Sequence, residues 1–268
     1  MAANIINVSP LTTLNDKPQL HEVTRRSANY HPSIWGDFFL SYSSEQMDGD
    51  TIALKEEHQQ LKEKVRNMLV EDPHISSEKL DLINNIQRLG VNYHFKEEIE
   101  AIMQHIFEVY DDLNDKDIKE NDLYAVSIRF RLLRQEGYGV SSGCFAKFLE
   151  SDGKLKESLI NNADAILSLY EASHLRVHGE KILDEMLIFT TSHLQTMQLC
   201  GPNPTSRSLL LSEALKQPIC KRLARIDARI FLSIYQLDES HDTTLLKFAK
   251  LDFNLLQKQH QKELGSLT

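Results

Sequence analysis

The chain has 268 residues, of which 41% are hydrophobic and 26% charged, with a formal net charge of -9 and a pI near 5.7. A chain of this length can bury roughly three quarters of the surface its unfolded form exposes, enough for one large domain or a domain plus part of another. Its acidity sets an extended nucleic-acid surface or an anionic bilayer against overall repulsion, and no apolar run approaches the roughly 20 residues that span a membrane. Neither nucleic acid nor membrane is an expected partner.

Residues 1–50 contain Pro10, Pro18 and Pro32 and a turn-rich stretch from Ser41 to Asp50, without a sustained apolar period. They read as an extended amino-terminal arm. The first 24 residues include Asp16 and Glu22, one lysine and no arginine, and no apolar signal core follows Met1. Organelle transit peptides are rich in arginine and poor in acids, so a cytoplasmic protein is expected.

From Leu54 the pattern becomes helical. Leu54, Leu61, Val65, Met68 and Leu69 share one face until Pro73 stops the run. Ser76 or Ser77 is placed to cap a second helix with Leu82, Ile86 and Leu89 inside and Gly90 at its end. A third carries Phe95, Ile99, Ile102, Met103, Ile106, Phe107 and Tyr110 at spacings of three and four. After the polar loop Asp111 to Asp122, Leu123, Val126, Phe130 and Leu133 continue the period until Gly137 and Gly139 break it.

Further helices follow along Leu159 to Tyr170, Ile182 to Leu194, Leu209 to Leu215 and Leu223 to Ile234, with Gly201-Pro202-Asn203-Pro204 as a turn. Sustained alternation of apolar and polar residues is missing, so the expected fold class is all-α, a barrel or bundle of about eight to ten helices joined by short loops. Residues 51–235 form this domain. Cys144, Cys200 and Cys220 lack the close pairing of zinc sites or disulfide frameworks and are expected to be reduced, buried thiols.

Residues 236–242 read as a linker, and the helix from Thr243 to Leu264 is unusual. Leu245, Leu246, Phe248, Ala249, Leu251, Phe253, Leu255 and Leu256 cover most of its circumference, leaving Lys247, Lys250, Asn254 and Lys258 as a polar strip. Burying just Leu245, Phe248, Leu255 and Leu256 would contribute about 6–12 kcal/mol gross. Such a helix wants neighbours on several sides. They could lie in a domain beyond these 268 residues, or the helix could dock back on its own bundle.

Several local motifs suggest chemistry. Asp111-Asp112-Leu113-Asn114-Asp115 spells DDxxD, a spacing that on a helix lets carboxylates share magnesium ions. Here Asp111, Asp112 and Asp115 open the acidic run Lys116 to Asp122, which reads as a solvated loop, so no metal is expected there. His174 and His178 lie four apart, but Leu175-Arg176-Val177 between them supplies no glutamate base, and a structural role is expected. Ser240-His241-Asp242 places triad residue types only as sequence neighbours. Arg222, Arg225 and Arg229, and likewise Arg129, Arg131 and Arg134, read as solvated basic faces paired with acids.

The arm contains Arg25-Arg26, eight further residues, then Trp35-Gly36-Asp37. This resembles the signature near the start of flowering-plant mono- and sesquiterpene synthases. Ile86-Gln87-Arg88-Leu89-Gly90-Val91 with Tyr93-His94-Phe95 is similar to a second stretch of that family. So are Arg129 to Gln135, Ser168 to Leu175, and Leu246 to Gln257.

The resemblance implies the amino-terminal helical domain of a two-domain enzyme, followed from Thr243 to Thr268 by the first helix of an incomplete catalytic domain. In the family, that second domain holds magnesium, with manganese as an alternative, on a DDxxD motif and an Asn/Asp–Ser/Thr–Glu set. The ions offset charge developing on the diphosphate of a prenyl substrate. Neither motif can be placed in this chain, so no catalytic residue is assigned, no metal is expected to bind, and the chain alone is expected to be inactive. The resemblance further implies that Arg25 and Arg26 cap an active site, with Trp35 anchoring the arm. The short, acidic leader favours the sesquiterpene branch, which uses farnesyl diphosphate. The competing reading is a non-catalytic helical domain that pairs with a full-length synthase, or with itself, through the helix 243–264.

Overall fold

A computed structural model describes residues 34–36, 38, 48–71, 76–109, 122–151, 153–198 and 205–267. Among these, ten α-helices follow in order: α1 Asp48–Val70, α2 Ser77–Arg88, α3 Lys96–Glu108, α4 Leu123–Gln135, α5 Glu157–Ile160, α6 Ala163–Ser173, α7 Lys181–Gln198, α8 Ser206–Lys216, α9 Ala224–Tyr235 and α10 Thr243–Leu267. Short 3-10 turns at Asn92–His94, Ser142–Phe148 and Ile219–Lys221 connect them. The described residues hold no strand, only an isolated bridge between Leu149 and Leu155. The all-α expectation holds.

Polar side chains start the helices where the sequence offers them. Ser76 accepts from the backbone N–H of Lys79 at 3.2 Å, Asp122 from Tyr124 at 3.0 Å, and Asn162 from Ala165 at 3.1 Å. Thr205 and Ser208 form a reciprocal box at the start of α8. Asp242 receives the N–H of Leu245 at 2.7 Å and so starts α10. Each cap satisfies a donor that the first helical turn leaves open.

Helix α4 runs through the middle of the bundle, buried from Leu123 to Leu133 apart from the half-buried Tyr124, and packs on α2 and α6. Helix α6 in turn contacts α7, α8 follows on α7, and α9 bridges α8, α2 and α10. One continuous apolar core joins these layers, from Leu61, Val65 and Leu69 of α1 to Leu245 and Phe248 of α10. The expected faces of α1, α2 and α3 are buried or, at Leu54, Met68, Leu82 and Ile102, half-buried, except that Phe107 is exposed and Tyr110 lies outside the described residues. The stop at Pro73 and the turn 201–204 lie outside the described residues.

Helix α10 docks on its own bundle along its first half. Its apolar circumference does find partners within the chain: Leu245, Leu246, Phe248 and Ala249 are buried against α1 and α9. Leu251, Phe253, Leu255 and Leu256 are only half-buried, and Lys247, Lys250 and Asn254 are exposed. The cysteines differ from the buried thiols expected, since Cys144 is half-buried and Cys220 exposed, while Cys200 lies outside the described residues.

Two details fix the spacing of these elements. Gly90 ends the α2 segment at φ +73°, and a β-carbon there would stand 2.8 Å from the β-carbon of Ala228 on α9. Gly90→Ala is therefore expected to cost at least about 1–2 kcal/mol for the left-handed backbone alone, read as a lower midpoint in urea unfolding. Arg134, near the end of α4, grips both oxygens of Glu180 at 2.5 and 2.6 Å and the carbonyls of Val140 and Leu175. Arg134 holds the Glu180 carboxyl down to about 2, against its partial burial and with help from the N–H of Val177.

A depressed carboxylate contributes stability above its unfolded value, and that contribution is lost as pH falls toward the folded value. The stability difference between the parent chain and Glu180→Gln is expected to shrink as pH is lowered from about 5 to about 2.5, measured by urea titration at each pH.

Candidate functional site

The buried stripe of α10 recurs at three and four residues through Leu245, Phe248, Ala249 and then Asp252. It thus ends on a carboxylate whose side chain is only 5% exposed. Three side chains from elsewhere meet it. The Tyr93 hydroxyl donates to Oδ1 at 2.8 Å and Oδ2 at 2.9 Å. The Nε2 atoms of His94 and His58 lie 2.8 and 3.1 Å from Oδ1.

His58 comes from α1, one turn before Leu61 on its buried side, whereas Tyr93 and His94 come from the turn Asn92–His94. The fully buried Phe248 seats both imidazoles, with ring centroids 4.9 Å from His58 and 5.4 Å from His94. Burial pushes the Asp252 carboxyl up, but hydrogen bonds from His94 and Tyr93, the His94 charge and the His58 contact outweigh it and hold the group below its ordinary value. Burial and the Asp252 carboxylate both push the Tyr93 hydroxyl up, so it stays a donor.

A second polar cluster lies inside the bundle. Arg88 of α2 stacks on the Phe231 ring at 4.0 Å and approaches Asp227 at 3.8 Å. Arg222 donates to Asp227 at 2.5 Å. Arg131 of α4 donates to Asn84, and to Gln135 at 2.7 Å. Glu171 of α6 accepts the N–H of Ile219 at 2.9 Å. Burial lowers Arg88, brings Arg131 down to about 10, and raises Glu171. The chemistry here is structural: partly compensated charges link α2, α4, α6 and α9.

These contacts overturn the reading of the arginines as solvated faces. Arg129 and Arg131 are buried because α4 is the central helix, and Arg134 is the clamp on Glu180. Arg222 precedes α9 and is 6% exposed at its side chain. Arg225 stacks on Phe253 of α10 at 4.8 Å, which leaves Arg229 as the exposed member of its trio.

His174 and His178 do not share a helix. Helix α6 ends at Ser173, His174 caps it with its ring against Tyr170 at 4.6 Å, and His178 lies in the following turn. Burial lowers His174 to about 4, which suits a neutral packed ring. Ser240 bonds Asp238, His241 reaches the Asp238 carbonyl, and Asp242 caps α10, so these three residues build a turn.

Arg25, Arg26, Asp111, Asp112 and Asp115 lie outside the described residues. Trp35 is 56% exposed with its ring 6.1 Å from that of Phe38. Sequence reasoning missed the Asp252 cluster, although an acid on an otherwise apolar stripe was its available signal. Among the described residues, His58, His94 and Asp252 are the group with metal-ligand spacing. Two imidazoles and one carboxylate do not fit magnesium, which takes oxygen donors.

Residues 34–215 match the family described as terpene synthase, N-terminal domain. The chain is 53% identical over 247 residues to a (-)-germacrene D synthase of Vitis vinifera, covering 92% of this chain and 43% of that protein. A (-)-germacrene D synthase of Origanum vulgare is 46% identical over 268 residues, 100% of this chain and 46% of its own length. The chain thus spans less than half the length of these relatives. Among solved structures, limonene synthase with 2-fluorolinalyl diphosphate superposes with a TM-score of 0.77 at 32% identity, over 90% of this chain and 44% of that one. Isoprene synthase from grey poplar leaves (Populus x canescens) gives 0.72 at 32% identity, over 89% and 43%. By the family match and this helical architecture together, the chain belongs to the terpene synthase family.

Proposed function

We propose that this chain is the amino-terminal part of a cytoplasmic sesquiterpene synthase that converts farnesyl diphosphate to a cyclic sesquiterpene with release of diphosphate. The similarity to two germacrene D synthases along nearly the whole chain carries this reading. In it, residues 1–50 are the arm, 51–235 the helical amino-terminal domain, 236–242 the linker and 243–268 the first helix of the magnesium-dependent catalytic domain. Arg25 and Arg26 cap that domain's active site, with Trp35 anchoring the arm. Among the described residues, no helix is long and apolar enough to cross a membrane.

The competing reading, a non-catalytic partner of a synthase or of itself through the helix 243–264, draws on its half-buried Leu251, Leu255 and Leu256. Light scattering separates the two, since a clean monomer counts against self-pairing.

Incubated alone with farnesyl diphosphate and magnesium, residues 1–268 are expected to give no hydrocarbon product by gas chromatography. Fused at Thr268 to the remaining sequence of a germacrene D synthase, they are expected to give metal-dependent product. A folded but silent fusion would count against the proposal. In the active fusion, Arg25→Ala with Arg26→Ala is expected to lower kcat/KM on the order of tenfold, equivalent to about 1.4 kcal/mol of transition-state stabilisation.

A further inference from the structure

The cluster on Asp252 gathers all three of its side-chain partners around one oxygen. A carboxylate oxygen offers two lone pairs, yet Oδ1 faces the Tyr93 hydroxyl at 2.8 Å, His94 Nε2 at 2.8 Å and His58 Nε2 at 3.1 Å. Tyr93 can transfer wholly to Oδ2, which it already reaches at 2.9 Å. The two imidazole nitrogens then match the two lone pairs of Oδ1, and the three atoms stand close enough together to share an ion. Their ring positions are set by packing, because both rest on Phe248 and the His94 ring also lies 4.1 Å from that of Tyr93.

We propose that His58, His94 and Asp252 bind one divalent ion of the zinc class, through Nε2 of each histidine and Oδ1 of the aspartate, and that the ion joins α1 and the turn Asn92–His94 to α10. The ligand atoms all lie within 4.8 Å of one another. Across a tetrahedral zinc with bonds near 2.0 Å, neighbouring ligand atoms stand about 3.3 Å apart. The two histidine contacts therefore need to open by only a few tenths of an ångström.

Nitrogen and oxygen donors in this ratio suit zinc and its neighbours in the first transition row. Tyr93, held on Oδ2, supplies the outer hydrogen bond that orients a ligating carboxylate. Both histidine side chains are 15% exposed, so the cluster is not sealed from solvent. Nothing in this site depends on synthase activity.

The test uses the tag-free 268-residue chain, titrated calorimetrically with zinc sulfate and separately with magnesium chloride. One zinc per chain is expected, undisturbed by excess magnesium, and cobalt(II) in the same site should show the intense visible bands of a tetrahedral ion. His58→Gln and His94→Gln should each weaken zinc binding at least tenfold, and Tyr93→Phe, which keeps all three ligands, by about 10–100-fold. Far-UV circular dichroism confirms that each variant is folded.

His174→Gln with His178→Gln should leave the affinity unchanged. Absence of zinc uptake by the parent chain would overturn the proposal. So would cobalt spectra of an octahedral ion, or zinc affinity that survives both His58→Gln and His94→Gln. The parent-chain stoichiometry and cobalt spectrum keep the test decisive should a variant fail to fold.

Discussion

A carboxylate placed beside a buried aromatic ring must be met by donors, because an uncompensated buried charge costs several kcal/mol. Asp252 is met by Tyr93 and by the imidazoles of His58 and His94, and this requirement sets how α10 lies on α1. A one-residue slip would turn Asp252 by about 100°, stranding the charge and lifting Leu245, Phe248 and Ala249 from the core together. Apolar area alone tolerates such slips, since a Leu-rich surface finds many near-equivalent seats. The buried acid makes one of them distinct.

The same logic operates inside the bundle. Arg88, Arg131, Arg222, Glu171 and Asp227 come from four helices and a connecting turn. Removing one member of a buried pair commonly costs about 3–5 kcal/mol, whereas a well-packed apolar replacement of the whole set is often neutral. The cluster is therefore better understood as fixing which faces of α2, α4, α6 and α9 meet than as a net source of stability. The stacking of Arg88 on Phe231 at 4.0 Å shows how the cost is moderated: the guanidinium plane packs as an aromatic neighbour while its charge stays near Asp227.

Apolar periodicity made the helices legible in the sequence. Leu61, Val65 and Leu69 on α1, and Ile99, Met103 and Ile106 on α3, are read correctly because solvent exposes one side of each helix and the 3.6-residue period survives. Helix α4 defeats that logic. It is surrounded, so Arg129 and Arg131 are interior although an arginine in a helical sequence ordinarily marks the wet face. The Asp252 site was only faintly marked, by an acid on an apolar stripe, for a different reason. Its members are separated by 36 residues between His58 and His94 and by 158 between His94 and Asp252, and no local motif announces a contact made only in three dimensions. The family resemblance runs through Tyr93, His94 and Asp252 without saying what they do.

Helix α10 also explains why its sequence reads as apolar nearly all round. One side is closed by α1 and α9, while Leu251 and Leu255 line a groove of about 320 Å³ together with Leu54 and the polar residues Asn254, Gln257, Lys258 and Gln261. If α10 opens a catalytic domain, as proposed, the Asp252 cluster and the Arg225–Phe253 stack become the joint between two domains. A joint built from directional contacts defines relative orientation more sharply than apolar burial does, because misdocking leaves a charge without partners. The half-buried leucines then provide adhesive area further along the same helix. In that arrangement the position of an active site assembled beyond α10 would be referred, through one helix, to a carboxylate fixed by the amino-terminal domain.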